Sequence, residues 1–334
     1  NSKKYLNKKS SLPLNGLKDI SFDTIEIVSK NSKKKYNINQ IKDLKKSVRE
    51  KIKSDLKNIT KKKKFKNLKF TSKPLLMGIL NVTPDSFSDG GKYNKSNKAF
   101  IHAKHLIKSG CDIIDIGGES TRPGSKEVDK VVEWKRIKNP IKKISKLKTL
   151  VSIDTRKSFV MKKVIKYKID LINDISGLEH DKETLIFLKQ TKLPFVIHHI
   201  QGNPKSMQKR PKYKNALLEI YDFFEKKIKE VRSHGIKHNN ILLDPGIGFG
   251  KNLKHNLSLI KNISIFHSLG LPLLLGTSKK KFIGQISNKN DSKNRYGGTI
   301  ASSLYLMTQG VQILRIHDIN EIKQGINVFT SLKF

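Results

Sequence analysis

The run Met77-Gly78-Ile79-Leu80-Asn81-Val82-Thr83-Pro84-Asp85-Ser86-Phe87-Ser88-Asp89-Gly90-Gly91 begins as a buried apolar strand and ends abruptly in small polar groups and two glycines. A strand that empties into a polar loop is the pattern of a site built at a strand's carboxyl end. The same pattern repeats along the chain. Strand-like apolar runs fall near 75–81, 112–117, 149–153, 169–173, 194–200, 240–244, 271–276 and 311–316. Between them lie longer segments with helical spacing, such as Leu217, Ile220, Phe224, Ile228 and Val231. Eight strand–helix units in about 260 residues match a (β/α)8 TIM barrel. The alternative is an open doubly wound sheet. That fold more often has fewer strands and a glycine-rich dinucleotide turn after the first one, and no such turn follows Leu80.

A barrel reading makes a claim about polar residues, because active sites in this fold lie at the strands' carboxyl ends. The polar clusters fall there: Asn81; Gly117 to Arg122; Asp154; Asn173-Asp174; His199 to Gly202; Asp244; Ser278 to Lys280; and Arg315 to His317. Any one of them is explicable as a cap or turn. Agreement across eight units is harder to explain that way.

Length and composition set bounds. The 334 residues suit one large domain or two small ones, and 36% hydrophobic residues permit a sizeable core. The formal net charge of +41 invites a nucleic-acid reading. The excess is nearly all Lys, however, and is spread along the whole chain. A nucleic-acid binder more often concentrates Arg and aromatics on one element. The charge favours anionic small molecules in a general way. Cys111 is the sole cysteine, so an intrachain disulfide and a cysteine metal cluster are excluded. With no secretory signal in the sequence, this fits a reducing, cytoplasmic setting. No apolar run approaches the roughly 20 residues of a membrane span.

Residues 1–72 read as a Lys-rich N-terminal accessory segment beside a catalytic domain at 73–334. A short strand is expected within Ile20 to Val28. A helix is expected on the stripe Ile41, Leu44, Val48, Ile52 and Leu56, after a cap at Asn39. Lys61 to Lys64 reads as a solvated break. A cleaved organelle presequence fits less well, because acids such as Asp19, Glu26 and Glu50 recur.

Several motifs carry chemistry. In Asp112 to Ser125, Gly117 and Gly118 allow a tight strand exit, and Thr121-Arg122-Pro123-Gly124 reads as a mobile loop offering one cation suited to anions. Asp115 and Glu119 read as structural hydrogen-bonding groups. Asp154, Asn173 and Asp244 would converge in one barrel mouth, where two carboxylates and an amide can read a ring bearing N–H donors and a carbonyl. Helix capping is the competing reading, and Asp174 fits it better than Asn173 does. Asp244 to Lys251 is glycine-rich. It matches neither a P-loop nor a dinucleotide turn, and reads as a flexible wall with Phe249 as an aromatic face. Ser278-Lys279-Lys280 and Arg315-Ile316-His317 end the last two strands, where this fold often binds phosphate. Arg315 can grip a phosphate with two parallel hydrogen bonds, and His317 can add a donor.

In order and spacing these motifs closely resemble those of the dihydropteroate synthase family over about residues 74–332. The run at Met77 is similar to its first signature and Asp112 to Ser125 to its second. The resemblance implies a barrel, usually homodimeric, that joins 6-hydroxymethyl-7,8-dihydropterin diphosphate to 4-aminobenzoate with Mg2+. It further implies that Asp154, Asn173, Asp244 and Lys280 hold the pterin, and that Asn81, Arg315 and His317 hold the diphosphate, with Asn81 near Mg2+. Thr121, Arg122, Pro123, Phe249, Lys280 and Ser278 would shape the aminobenzoate site. Lys280, Arg315 and His317 would act in catalysis. No nucleic-acid or membrane partner is implied.

The chain departs from the family pattern at Lys279, where Arg is usual, and at His198-His199-Ile200, where Met-His-Met is usual. A Lys cannot copy a planar Arg fork. A metal site at His198 and His199 is disfavoured, since adjacent strand residues point to opposite faces. Residues 1–72 do not resemble the pterin pyrophosphokinase fused to some members, so one activity is expected. Three rivals are weighed against this reading: a pterin-binding methyltransferase barrel, a non-catalytic paralogue, and a nucleic-acid binder anchored by Lys61 to Lys64.

Overall fold

The structure, a computed structural model, describes residues 2–8, 10–83 and 92–332. The loop at 84–91, on which part of the first signature falls, lies outside the described residues. Short elements come first: α1 (Ser2–Asn7), β1 (Leu12–Pro13), β2 (Ser21–Phe22), the hairpin β3 (Thr24–Val28) and β4 (Lys33–Asn37), and α2 (Lys46–Thr60). Then strands and helices alternate: β5 (Leu75–Asn81), α3 (Lys92–Lys108), β6 (Ile113–Gly117), α4 (Lys130–Ile144), β7 (Leu150–Asp154), α5 (Ser158–Val164), β8 (Leu171–Asp174), α6 (Glu183–Thr191) and β9 (Phe195–His198). They continue as α7 (Ala216–Ser233), β10 (Ile241–Asp244), α8 (Leu253–Lys261), β11 (Leu274–Leu275), α9 (Lys281–Ser287), α10 (Tyr296–Thr308), β12 (Ile313–Ile316) and α11 (Ile319–Leu332).

β5 to β12 form one eight-stranded sheet in the order β10-β9-β8-β7-β6-β5-β12-β11, with every pair parallel. A parallel bridge between Leu243 and Leu273 joins its two edges, and the Leu243 amide donates to the Pro272 carbonyl at 3.0 Å. The sheet is therefore a (β/α)8 barrel, and each of the eight expected strands is present.

Side chains alternate between the two faces of each strand, and the alternation sorts two cores. Outward residues such as Ile114, Ile116, Ile153, Ile172, Ile197 and Leu243 pack with the helices in one large cluster. Inward residues nearer the strands' amino ends, including Met77, Ile113, Leu171, Val196, Leu242 and Ile313, form a second. Two residues further along the same inward face come Asp115, Asn173, His198, Asp244 and Arg315. The barrel interior thus grades from an apolar floor to a polar mouth.

The N-terminal segment departs from its sequence reading in three places. The stretch Ile20 to Val28 is two strands rather than one, because the chain turns at Asp23, whose carboxylate accepts from the Thr24 hydroxyl at 2.8 Å. β2 pairs with β1, and β3 with β4. Asn37, not Asn39, makes the cap: its side chain accepts from the Asn39 amide while its own amide donates to Gln40 Oε1 at 2.7 Å. This pair holds a 3-10 turn over Ile38–Asp43, and α2 starts only at Lys46. Within Lys61 to Lys64, Lys63 is buried, with Nζ donating to the Asn58 carbonyl, and burial lowers its pKa to about 8.

The segment is also tied to the barrel. Asn58 Nδ2 donates to the Ser268 carbonyl at 2.8 Å, and Asn15 Nδ2 to that of Gly310 at 3.3 Å. Phe65 and Leu68 join the inner cluster and close the barrel floor, so the segment packs on the main domain and adds to its core. Replacing Phe65 by Ala opens that floor. A destabilisation of about 3 kcal/mol is expected, read as a lower urea midpoint. An unchanged midpoint would show that Phe65 does not seat there.

Candidate active site at the barrel mouth

Arg315 is the centre of the mouth. It stands on β12 with its Nε 2.6 Å from Asp115 Oδ2 on β6 and its Nη2 2.7 Å from Asp154 Oδ2 on β7. Asn173 Nδ2 donates to the same Asp115 oxygen at 3.1 Å. Four strand ends thus share one hydrogen-bonded group. Burial raises the Asp154 pKa, and the Arg315 guanidinium opposes the rise. The expected phosphate fork is therefore already committed in part, and two of the five guanidinium donors face carboxylates. The remaining N–H groups are those an anion would meet.

Asp115 is the residue that sequence reasoning underrated. It is fully buried and fixes both Arg315 and Asn173. The sequence places Asp115 two residues beyond Ile113 on the same inward face, but not beside Arg315. Asp174, by contrast, is not the helix cap expected: α6 starts only at Glu183, and the Asp174 Oδ1 holds a turn by accepting from the Ser176 amide at 2.8 Å and hydroxyl at 2.6 Å.

Asp244 ends β10. Its Oδ1 accepts from the Gly246 amide at 2.8 Å, and its Oδ2 lies 3.9 Å from His198 Nε2. Burial raises its pKa to about 6. Lys280 Nζ sits 4.3 Å from the centre of the Phe249 ring. Burial first, then the Arg315 charge, lowers its pKa to about 8. Asp154, Asn173 and Asp244 share the mouth, but only Asp154 and Asn173 belong to the Arg315 group.

Ser278 and His317 form a pair. Ser278 Oγ accepts from the His317 amide at 3.2 Å and lies 3.0 Å from His317 Nδ1. With the hydroxyl donating to Nδ1, the ring proton rests on Nε2 and can be given to an anion. Lys279 turns away from the mouth. Its φ of 56° is left-handed, and its Nζ pairs with Asp318 Oδ1 at 2.9 Å over the Tyr296 ring. Asn81 ends β5 beside Gly117, half-buried. Thr121 is half-buried, while Arg122 and Pro123 are exposed on the loop after β6. That loop reaches the one after β9, where the Gly124 amide donates to the Pro204 carbonyl at 3.0 Å.

The 245–251 loop is not the flexible wall expected. A Cβ at Gly246 would lie 2.0 Å from the His199 carbonyl oxygen, and one at Gly250 would lie 2.5 Å from that of Gln201. Both have left-handed φ, of 70° and 62°, so the glycines serve close backbone packing. Lys251, another residue missed in the sequence, clamps the loop: its buried Nζ donates to the Phe249 carbonyl and lies 2.9 Å from His199 Nδ1. Burial lowers its pKa to about 7. His198 and His199 diverge, the first onto Phe249 and the second onto Phe223.

A parallel barrel with charged and amide groups converging on one end belongs to the class of barrel enzymes that bind a small polar substrate at the mouth. Comparison with known proteins narrows the class. The sequence profile of the family described as pterin binding enzyme matches residues 77–317. The Escherichia coli (strain K12) dihydropteroate synthase is 43% identical over 258 residues, 77% of this chain and 91% of that protein. The Bacillus subtilis (strain 168) dihydropteroate synthase is 40% identical and shares 76% of this chain and 87% of its own length. Among solved structures, the Yersinia pestis enzyme with a sulfonamide drug complex superposes with a TM-score of 0.73 at 40% identity, over 78% of this chain and 94% of that one. The Xanthomonas albilineans enzyme with 4-aminobenzoic acid gives 0.74 at 32% identity, over 78% and 93%. This chain belongs to the dihydropteroate synthase family of pterin-binding enzymes.

His317 is held neutral: burial, then the charges of Arg315, Lys279, Lys280 and Arg122, lower its pKa to about 3. In the ligand-free protein, 13C-histidine NMR assigned with His317→Gln should show no titration of this ring between about pH 5 and 8. A midpoint near the free value of about 6.5 would refute the buried, cation-ringed placement.

Proposed function

We infer that this chain is a dihydropteroate synthase that joins 6-hydroxymethyl-7,8-dihydropterin diphosphate to 4-aminobenzoate, giving 7,8-dihydropteroate and diphosphate. The observation that carries the residue assignment is the Arg315 guanidinium shared by Asp115 and Asp154, with Asn173 on the same carboxylate. It brings two carboxylates and an amide beside a cation in one mouth, which supports reading them as pterin- and diphosphate-binding groups. Asp154, Asn173 and Asp244 would read the pterin edge, with Lys280 holding its carbonyl side. Arg315 and His317 would take the diphosphate. Thr121, Arg122, Pro123, Phe249 and Ser278 would border the aminobenzoate, although the Ser278 hydroxyl also orients His317.

The reaction breaks the bond between the pterin methylene carbon and the diphosphate oxygen, and forms one from that carbon to the arylamine nitrogen. The amine then loses a proton. Charge grows on the departing oxygen, and the Arg315 and His317 donors would meet it there. An arylamine is neutral near pH 7, so no strong general base is required, and much of the remaining catalysis is positioning.

Mg2+ belongs to this proposal. Among the described residues no group of three or more His, Cys, Asp or Glu is arranged to hold a metal ion. Mg2+ commonly takes one or two protein oxygens and completes its shell with water and phosphate. The Asn81 amide oxygen, at the edge of the mouth, fits that donor set. When bound, the ion would supply positive charge to the leaving diphosphate.

A homodimer and a cytoplasmic location complete the reading. Exposed Ile286, Tyr305 and Val328 on α9 to α11 support the dimer, which sedimentation at graded concentration tests. The single buried thiol of Cys111 fits a reducing compartment. No helix among the described residues is long and apolar enough to cross a membrane.

The decisive assay supplies purified protein with both substrates and Mg2+, beside Arg315→Ala. Dihydropteroate and diphosphate should appear together, and the variant should lose at least about 100-fold in kcat. Pterin binding without product would favour a methyltransferase or an inactive paralogue. No pterin binding would overturn the site. Because a relative is solved with a sulfonamide, sulfonamides should compete with limiting 4-aminobenzoate. Full activity under saturating drug would count against the aminobenzoate assignment.

A further inference from the structure

The loop 118–128 carries Thr121, Arg122 and Pro123, which are half-buried or exposed. Besides the Gly124–Pro204 bond at its tip, the loop is held from beneath. Glu119, at its first turn, is buried and bonded in three directions. Its Oε1 accepts from the Val128 amide at 3.0 Å, nine residues on, and so ties the two ends of the loop together. The same oxygen accepts from Arg156 Nη2 at 3.0 Å. Its Oε2 accepts from Lys157 Nζ at 2.8 Å, and Lys157 also pairs with the fully buried Glu133 at 2.7 Å.

The neighbouring contacts extend the tie. Arg136 Nη1 donates to the Gly118 carbonyl at 2.8 Å, fixing the loop's entry. Near its exit, Glu127 lies 3.6 Å from Arg156 and 3.3 Å from His180 Nε2. Burial would raise the Glu119 pKa, but hydrogen bonds from Arg156 and Lys157 hold it below the usual carboxylate range. The cations come from the turn after β7, directly beyond Asp154. The strand end that bears Asp154 is therefore the platform on which the loop is mounted.

We propose that Glu119 is a positioning residue for the second substrate: through Val128, Arg156 and Lys157 it closes the 118–128 loop and sets Thr121, Arg122 and Pro123 over the mouth. The proposal rests on the reading that those three residues border the 4-aminobenzoate. A group that holds one substrate's loop, and touches neither substrate, affects that substrate's KM selectively. A group that merely stabilises the fold lowers the amount of active enzyme and leaves both KM values alone.

Glu119→Gln keeps an acceptor for the Val128 amide and removes the charge that Arg156 and Lys157 share. Its KM for 4-aminobenzoate should rise about tenfold, the effect of one misplaced contact, while the KM for the pterin diphosphate stays unchanged. Glu127→Ala, at a side chain 57% exposed, is the companion variant. It should fold whether or not Glu119→Gln does, and should raise the same KM by about threefold. Arg122→Ala separates the two ideas. If it leaves the aminobenzoate KM unchanged, the loop reading itself fails. If Arg122→Ala raises that KM but Glu119→Gln folds and does not, the positioning role is overturned. Should Glu119→Gln not fold, an unchanged KM in Glu127→Ala overturns it instead.

Discussion

One guanidinium held between two carboxylates inside a closed barrel is the interaction on which the mouth depends. Removing a charge from water is costly unless it is paired and hydrogen-bonded. Arg315 meets that condition through Asp115 and Asp154, and Asp115 through Asn173 as well. Loss of Arg315 would leave the buried Asp154 carboxylate without its guanidinium, and loss of Asp115 would leave the Asn173 amide without its acceptor. The group therefore fixes four strand ends relative to one another before a substrate arrives, and binding starts from an assembled site.

That arrangement is possible because of the floor below it. Each strand places alternate residues inward, and the layer of Met77, Ile113, Leu171, Val196 and their neighbours closes the lower barrel with Phe65 and Leu68. The charged layer above rests on dry, close-packed side chains, where its interactions are screened less than at a surface. The depressed pKa of His317 and that of Lys280 follow from the same enclosure. A neutral imidazole beside cations already in place suits a polyanion.

The rim loops divide by rigidity. The 245–251 loop is pressed against the ends of β9 and β10 and clamped by Lys251. The 118–128 loop touches the loop after β9 through Gly124 and Pro204, and is anchored at its roots by Glu119, Arg136 and Arg156. Groups read as holding the pterin thus sit on strands and a fixed wall, whereas those read as bordering the second substrate ride on a loop fastened from beneath.

The sequence by itself determined the barrel and the location of its site. Hydrophobic runs of strand length, spaced by helical stripes, are local patterns, and the polar residue ending each run is adjacent to it in the chain. That is why Asp154, Asn173, Asp244, Arg315 and His317 could be picked out without coordinates. Only the tertiary structure decided how they are partnered. Asp115 and Arg315 are 200 residues apart, and nothing local tells a carboxylate that orients a guanidinium from one that ends a strand. Lys251 read as the end of a glycine motif, and only folding puts its amine beside the His199 ring and seats Phe65 in the barrel floor. Lys279 and Lys280 are neighbours in the chain, yet the left-handed backbone at Lys279 sends one to Asp318 and leaves the other over Phe249. Periodicity reports which way a side chain faces, whereas its partner depends on distances that the chain closes only on folding.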